Sequence, residues 1–205
     1  MKRLQVAVGL CFSAAFAFAA APGDAVTNGV TTVLATPERG LEPVRDEIRA
    51  LRAGGQAKGT VVVDLAPGVY RMTGGTFNGG TGTVSIGLNG GKGTLEFGAG
   101  NGSFAAANLN LSGSNSMLKF VLGADGSVIR PNVTSMLTIG TGAKLVVDST
   151  AYRGAAVTLM TFGAASGSFA AADISLVGAP NGKLTQSGSS LRFIPEPHGL
   201  VLIVR

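Results

Sequence analysis

The chain has 205 residues, enough for one domain with a sizeable core. It contains 32 Gly, one Cys, one His and no Trp, and its formal net charge is +5. The basic residues are scattered and form no cluster with aromatic residues, which argues against nucleic-acid binding. One Cys excludes disulfides and thiolate metal sites, and one His excludes metal sites built on His pairs. The single His, His198, lies in the C-terminal tail, which excludes Ser–His–Asp catalysis from the body of the chain.

The N-terminal segment, 1–21, is typical of a secretory signal peptide. Lys2 and Arg3 form a charged start, an apolar stretch follows, and Ala17 and Ala19 form a small-x-small cleavage site. The apolar stretch is shorter than the roughly 20 residues that a membrane span needs. Cleavage would remove the only cysteine and lower the formal net charge from +5 to +3. We therefore expect an exported chain without thiols.

Residues 37–53 have the period of an amphipathic α-helix. Charged residues fill one face, and apolar residues recur at spacings of three, four and three, at Leu41, Val44, Ile48 and Leu51. Gly54-Gly55 then ends the helix.

From residue 60 to residue 193, apolar and polar residues alternate with the period of half-buried β-strands. Turns rich in Gly, Ser and Asn separate these segments, a pattern that suits a sandwich, a barrel or a solenoid. Residues 102–111 and 167–176 begin with the same six letters, GSFAAA, and lie 65 residues apart, as three coils of about 22 residues would. This favours a solenoid. The alternative is chance identity in a chain rich in Gly, Ser and Ala.

A helix, a Gly pair, an apolar strand and then Ala66-Pro67-Gly68 before Tyr70 resemble the start of right-handed parallel β-helix proteins of the pectate-lyase-like class. The resemblance implies an all-β fold, a single-stranded right-handed parallel β-helix or β-solenoid over residues 22–194, with an N-terminal capping α-helix. Residues 74–194 resemble the Gly-rich strand repeats of bacterial surface proteins. We expect the following side chains to face inward: Val84, Ile86, Leu109, Leu111, Leu118, Phe120, Ile174 and Leu176.

Carboxylates are the remaining route to catalysis, because lyases and glycosidases of this fold work with acid clusters on one face. Stacking of coils could bring Glu96, Asp125 and Asp148 together. The alternative is that they form turns or are solvated, since Asp125 lies in a Gly-flanked turn. The lone His198 is expected to be solvated. We predict no catalytic residue, no cofactor and no metal site.

The segment 195–205 begins with Pro195, Glu196 and Pro197 and resembles the start of the PEP-CTERM sorting signal of Gram-negative bacteria. That resemblance implies processing by an exosortase-type enzyme. The apolar run Leu200–Val204 has five residues where a span needs roughly 20, so we expect a truncated or decayed signal and no stable membrane span in the mature chain. The alternative is a last edge strand closed by prolines.

These patterns predict an exported, non-catalytic β-solenoid protein of the cell surface or extracellular matrix, structural or adhesive, that offers a Thr, Ser and Asn face to extracellular polysaccharide. The alternative is a polysaccharide lyase or glycoside hydrolase of the β-helix class, or a degenerate remnant of one. Two or three acids with a Lys or Arg on one outer face would favour the enzyme. A neutral Thr, Ser and Asn face would favour the structural protein.

Overall fold

The computed structural model describes residues 25–27, 30–35, 46, 50, 60–65, 68–87 and 92–196. Apart from Asp46 and Ala50, which are helical, the regular structure of these residues consists of two β-sheets and one short 3-10 helix, Ala171–Asp173. The large sheet contains β1 (Ala25–Thr27), β2 (Val30–Ala35), β3 (Thr60–Leu65), β5 (Gly75–Asn78), β6 (Thr83–Ile86), β8 (Gly102–Leu111), β10 (Pro131–Ile139), β12 (Val157–Ser166), β14 (Lys183–Ser187) and β15 (Ser190–Ile194). The small sheet contains β4 (Gly68–Met72), β7 (Gly93–Phe97), β9 (Ser116–Val121), β11 (Lys144–Asp148) and β13 (Ile174–Val177).

From β3 to β13 the chain contributes strands to both sheets in each turn and so winds as a parallel β-solenoid of about four turns. The small sheet runs β4-β7-β9-β11-β13, and each strand pairs in parallel with the next. The large sheet runs β1-β2-β3-β6-β8-β10-β12-β15-β14, with β5 also beside β8. At its C-terminal end the winding stops, because β15 pairs antiparallel with both β12 and β14. The predicted all-β solenoid is confirmed.

The predicted N-terminal cap lies almost wholly outside the described residues. Within 37–53 the structure describes Asp46 and Ala50, and both are helical and exposed. The predicted apolar stripe of this helix is not among the described residues, so the capping role and the right-handed winding stay predictions.

The sequence repeat that favoured the solenoid is not a structural repeat. Residues 102–111 form the whole of β8 in the large sheet, whereas residues 167–176 run through a bend and the 3-10 helix into β13 of the small sheet. The coils also differ in length, so no fixed repeat of about 22 residues exists, since Val62 pairs with Thr83 but Val147 pairs with Leu176. The six shared letters therefore do not mark a shared structure.

The core lies between the two sheets and is built from ladders of like side chains. Parallel pairing places Leu95, Leu118 and Leu145 side by side, and Phe97 beside Phe120, so each apolar position continues from coil to coil. Of the eight side chains predicted to face inward, six are buried: Val84, Ile86, Leu109, Leu111, Leu118 and Phe120.

The other two, Ile174 and Leu176, are only half-buried. Both belong to β13, and the one described strand that pairs with β13 is β11. No described strand follows them in the small sheet, so their packing is completed on one side only.

Candidate functional site

The outer face of the large sheet carries rows of neutral polar side chains. Parallel register places Asn110 beside Thr138 and Thr138 beside Ser166 on successive coils. In other rows, side-chain hydrogen bonds join neighbouring coils: Asn108 Nδ2 donates to Thr83 Oγ1 at 3.3 Å, Thr161 Oγ1 to Asn132 Oδ1 at 3.1 Å, and Ser103 Oγ to Thr76 Oγ1 at 3.3 Å. We call these rows the polar face. They give this sheet a Thr, Ser and Asn surface, which Met136, Arg192 and Ile194 interrupt.

The outer face of the small sheet carries an ionic cluster instead. Glu96 on β7 lies between Arg71 on β4 and Lys119 on β9, because the parallel register pairs Glu96 with both residues. Arg71 Nε donates a hydrogen bond to Glu96 Oε1, and Lys119 Nζ lies 3.0 Å from Glu96 Oε2. The Glu96 side chain is 6% exposed, whereas those of Arg71 and Lys119 are 61% and 29% exposed. The acid therefore lies beneath two cations that reach the solvent.

The two cations keep Glu96 ionised despite its burial. Burial raises the pKa of the Glu96 carboxyl, but hydrogen bonds and positive charge from Arg71 and Lys119 outweigh this effect, so that the pKa lies below its usual value. A carboxylate that is charged at neutral pH and held by two cations fixes their positions. It is poorly suited to accept or donate protons near neutral pH.

This lowered pKa predicts a loss of stability in acid. Because the folded-state pKa of Glu96 lies below the unfolded value, the unfolded chain binds more protons between the two values. The stabilisation is present above the unfolded value of roughly 4.3 and is lost as the pH falls through the folded value. Urea unfolding over a pH series checks this. Glu96→Gln, which cannot titrate, should lose less stability in acid than the wild type, and an equal loss would contradict the prediction.

The three acids that stacking could have gathered are not brought together. Strand β9 separates Glu96 on β7 from Asp148 on β11. Asp125 accepts a hydrogen bond from Ser127 N at 2.9 Å, and Asp148 accepts hydrogen bonds from Thr150 N and Oγ1 at 3.1 and 2.7 Å. The alternative that these acids form turns is therefore correct for Asp125 and Asp148.

The beginning of the predicted sorting motif is packed against the solenoid. Pro195 is buried, and Glu196 accepts a hydrogen bond from Asn181 Nδ2 at 2.8 Å, across the turn before β14. No pattern in the sequence signals this contact. Pro197 and His198, like the cleavage residues Ala17 and Ala19, lie outside the described residues.

In the part of the chain that the structure describes, no three His, Cys, Asp or Glu side chains lie close enough to hold a metal ion. The described residues also include no helix with the length and apolar character of a membrane span. No protein-family model, curated protein or solved structure matches the chain. Its two contrasting outer faces are therefore the basis for any assignment of function.

Proposed function

We propose that this chain is an exported, non-catalytic β-solenoid protein of the bacterial cell surface or extracellular matrix, with a structural or adhesive role. The observation that carries the proposal is the polar face, whose hydroxyl and amide groups recur from coil to coil. Hydroxyl and amide groups donate and accept hydrogen bonds, as the hydroxyls of a polysaccharide do. A row that repeats along the solenoid can bind a repeating polymer at several points at once.

Export and surface retention belong to the same proposal. The charged, apolar and small-residue parts of the segment 1–21 support export. The PEP-CTERM-like segment from Pro195 supports sorting to the envelope by an exosortase-type enzyme. Extracellular polysaccharide is the proposed partner. The enzyme alternative has weaker support, because the ionic cluster contains one acid where a two-carboxylate mechanism needs a pair.

Cell fractionation in the native host tests the proposal through two changes to the full chain. Asn110→Leu/Thr138→Val removes hydrogen-bonding groups from the polar face. It is expected to shift the ratio of matrix-bound to free protein towards the medium by at least about tenfold, since each hydrogen bond contributes on the order of 1 kcal/mol. Deletion of residues 195–205 is expected to release the protein from the surface. The intact mass of the wild type should show cleavage near Ala19.

The matched control is Thr94→Val/Ser175→Ala, which removes two hydroxyls from the outer face of the small sheet. This variant should remain matrix-bound like the wild type. Equal retention of the polar-face variant and the control would contradict the structural or adhesive role. Equal retention with and without residues 195–205 would contradict the sorting role alone.

A further inference from the structure

The outer face of the small sheet differs in chemistry from the polar face. Three cations occupy its outward positions, Arg71, Lys119 and Lys144, and the parallel register places Lys144 beside Met117. Five of the other nine outward positions are apolar, namely Val69, Met117, Val121, Val146 and Val177, and four are polar, namely Thr94, Glu96, Asp148 and Ser175. No outward position of these five strands is aromatic, so the face has no platform on which a sugar ring could stack.

This face carries three cations and two acids among its described residues, a net charge of +1, and two of the cations, Arg71 and Lys144, are its most exposed charged residues. Glu96 lies beneath Arg71 and Lys119, and Asp148 is held in its own turn by Thr150. Arg71 and Lys119 lie two strands apart, a separation of roughly 10 Å at the usual strand spacing. Because both cations are held by the same buried carboxylate, their spacing is fixed before any ligand arrives.

We propose that the outer face of the small sheet binds a surface of anionic lipid headgroups. The headgroup phosphates pair with the three cations, since Arg and Lys both bind phosphate well. Val69 and Val177, which are 53% and 42% exposed, lie on the first and last strands of the sheet and enter the apolar side of the interface. Glu96 acts as a positioning residue for Arg71 and Lys119. This interaction goes beyond the polymer binding proposed for the large sheet and uses none of its residues.

Vesicle flotation of the full chain tests the proposal, with phosphatidylcholine vesicles prepared with and without phosphatidylglycerol. The protein is expected to float with the anionic vesicles only, and to be released at about 0.5 M salt, where charges are strongly screened. Lys119→Gln/Lys144→Gln is expected to lower the partition coefficient about 25-fold, which is about fivefold for each cation. The matched control, Lys183→Gln/Arg192→Gln, removes the same charge from β14 and β15 and should change it little.

Glu96→Gln separates positioning from simple charge. This variant has one more net positive charge, so charge alone predicts tighter binding, whereas loss of positioning predicts weaker binding. We expect weaker binding, with circular dichroism and urea unfolding confirming that the variant is folded. Lys144→Gln, which alters no partner of Glu96 among the described contacts, should still lower the partition about fivefold.

Three results would overturn the proposal. Equal flotation with neutral vesicles would assign binding to apolar contacts elsewhere, and an equal loss in the Lys183/Arg192 control would show only non-specific attraction. Displacement from anionic vesicles by soluble alginate at equal charge would assign the face to acidic polysaccharide. Matrix retention of the polar-face variant in the host is a separate readout, so this proposal and the proposed function can fail independently.

Discussion

Phe97→Ala is expected to lower the free energy of unfolding by about 3–5 kcal/mol, the usual range for a buried Phe that is truncated. Phe97 is fully buried, and its ring lies 5.2 Å from that of Phe104 and 5.7 Å from that of Phe120. Its neighbours belong to other strands of a stacked core, so they cannot easily move to fill the space. Urea unfolding measured by circular dichroism gives this difference.

Phe169→Ala is the matched control, because it removes the same side chain from a half-buried position beside the core. The expected loss there is less than half that at Phe97, since less apolar surface leaves water on folding. Similar losses at the two positions would show that the Phe97 ring is not packed as described.

The solenoid could be predicted because local sequence patterns indicate its strands and turns. Alternation places apolar residues such as Leu109 and Leu111 on one side of β8, and the turn 112–115, which is rich in Ser, Gly and Asn, follows this strand. The coil length could not be predicted in the same way. The connection from β8 to β9 has four residues and that from β9 to β10 has nine, so no fixed period exists to detect.

The ionic cluster could not be found before the register was known. Arg71 and Glu96 lie on successive coils, as do Glu96 and Lys119, so no short motif joins them. A slip of one residue in either pairing would send a charged side chain to the core face. Opposite charges separated by one coil length are the signal that could have revealed this cluster. That signal becomes readable only with the true coil lengths.

The two GSFAAA segments also show that local sequence alone does not determine the backbone conformation, and their first glycines make this clear. Gly102 and Gly167 open the two copies of GSFAAA, yet Gly102 begins β8 while Gly167 adopts a φ of +85° after β12. Identical letters therefore adopt different backbone conformations, because neighbouring coils and not the local sequence decide the outcome.

Gly167→Ala is expected to destabilise the fold by at least about 3 kcal/mol, because two costs act at once. A φ of +85° is strained for any residue with a Cβ, and that Cβ would lie 2.2 Å from the carbonyl oxygen of Ile139 on the preceding coil. The clash is with backbone, so the relief must come from moving one coil away from the next. Urea unfolding of the purified variant measures the loss.

Gly188→Ala separates these two costs. Gly188 also has a positive φ, +54°, but apart from its two chain neighbours no residue has a heavy atom within 4 Å of the position that its Cβ would take. This variant should therefore show the conformational cost alone, about 1–2 kcal/mol. If both substitutions destabilise the protein equally, the close stacking of Gly167 on Ile139 is wrong. If Gly167→Ala lowers the free energy of unfolding by more than Gly188→Ala does, tight contact between successive coils limits which residues the turns between their strands can accept.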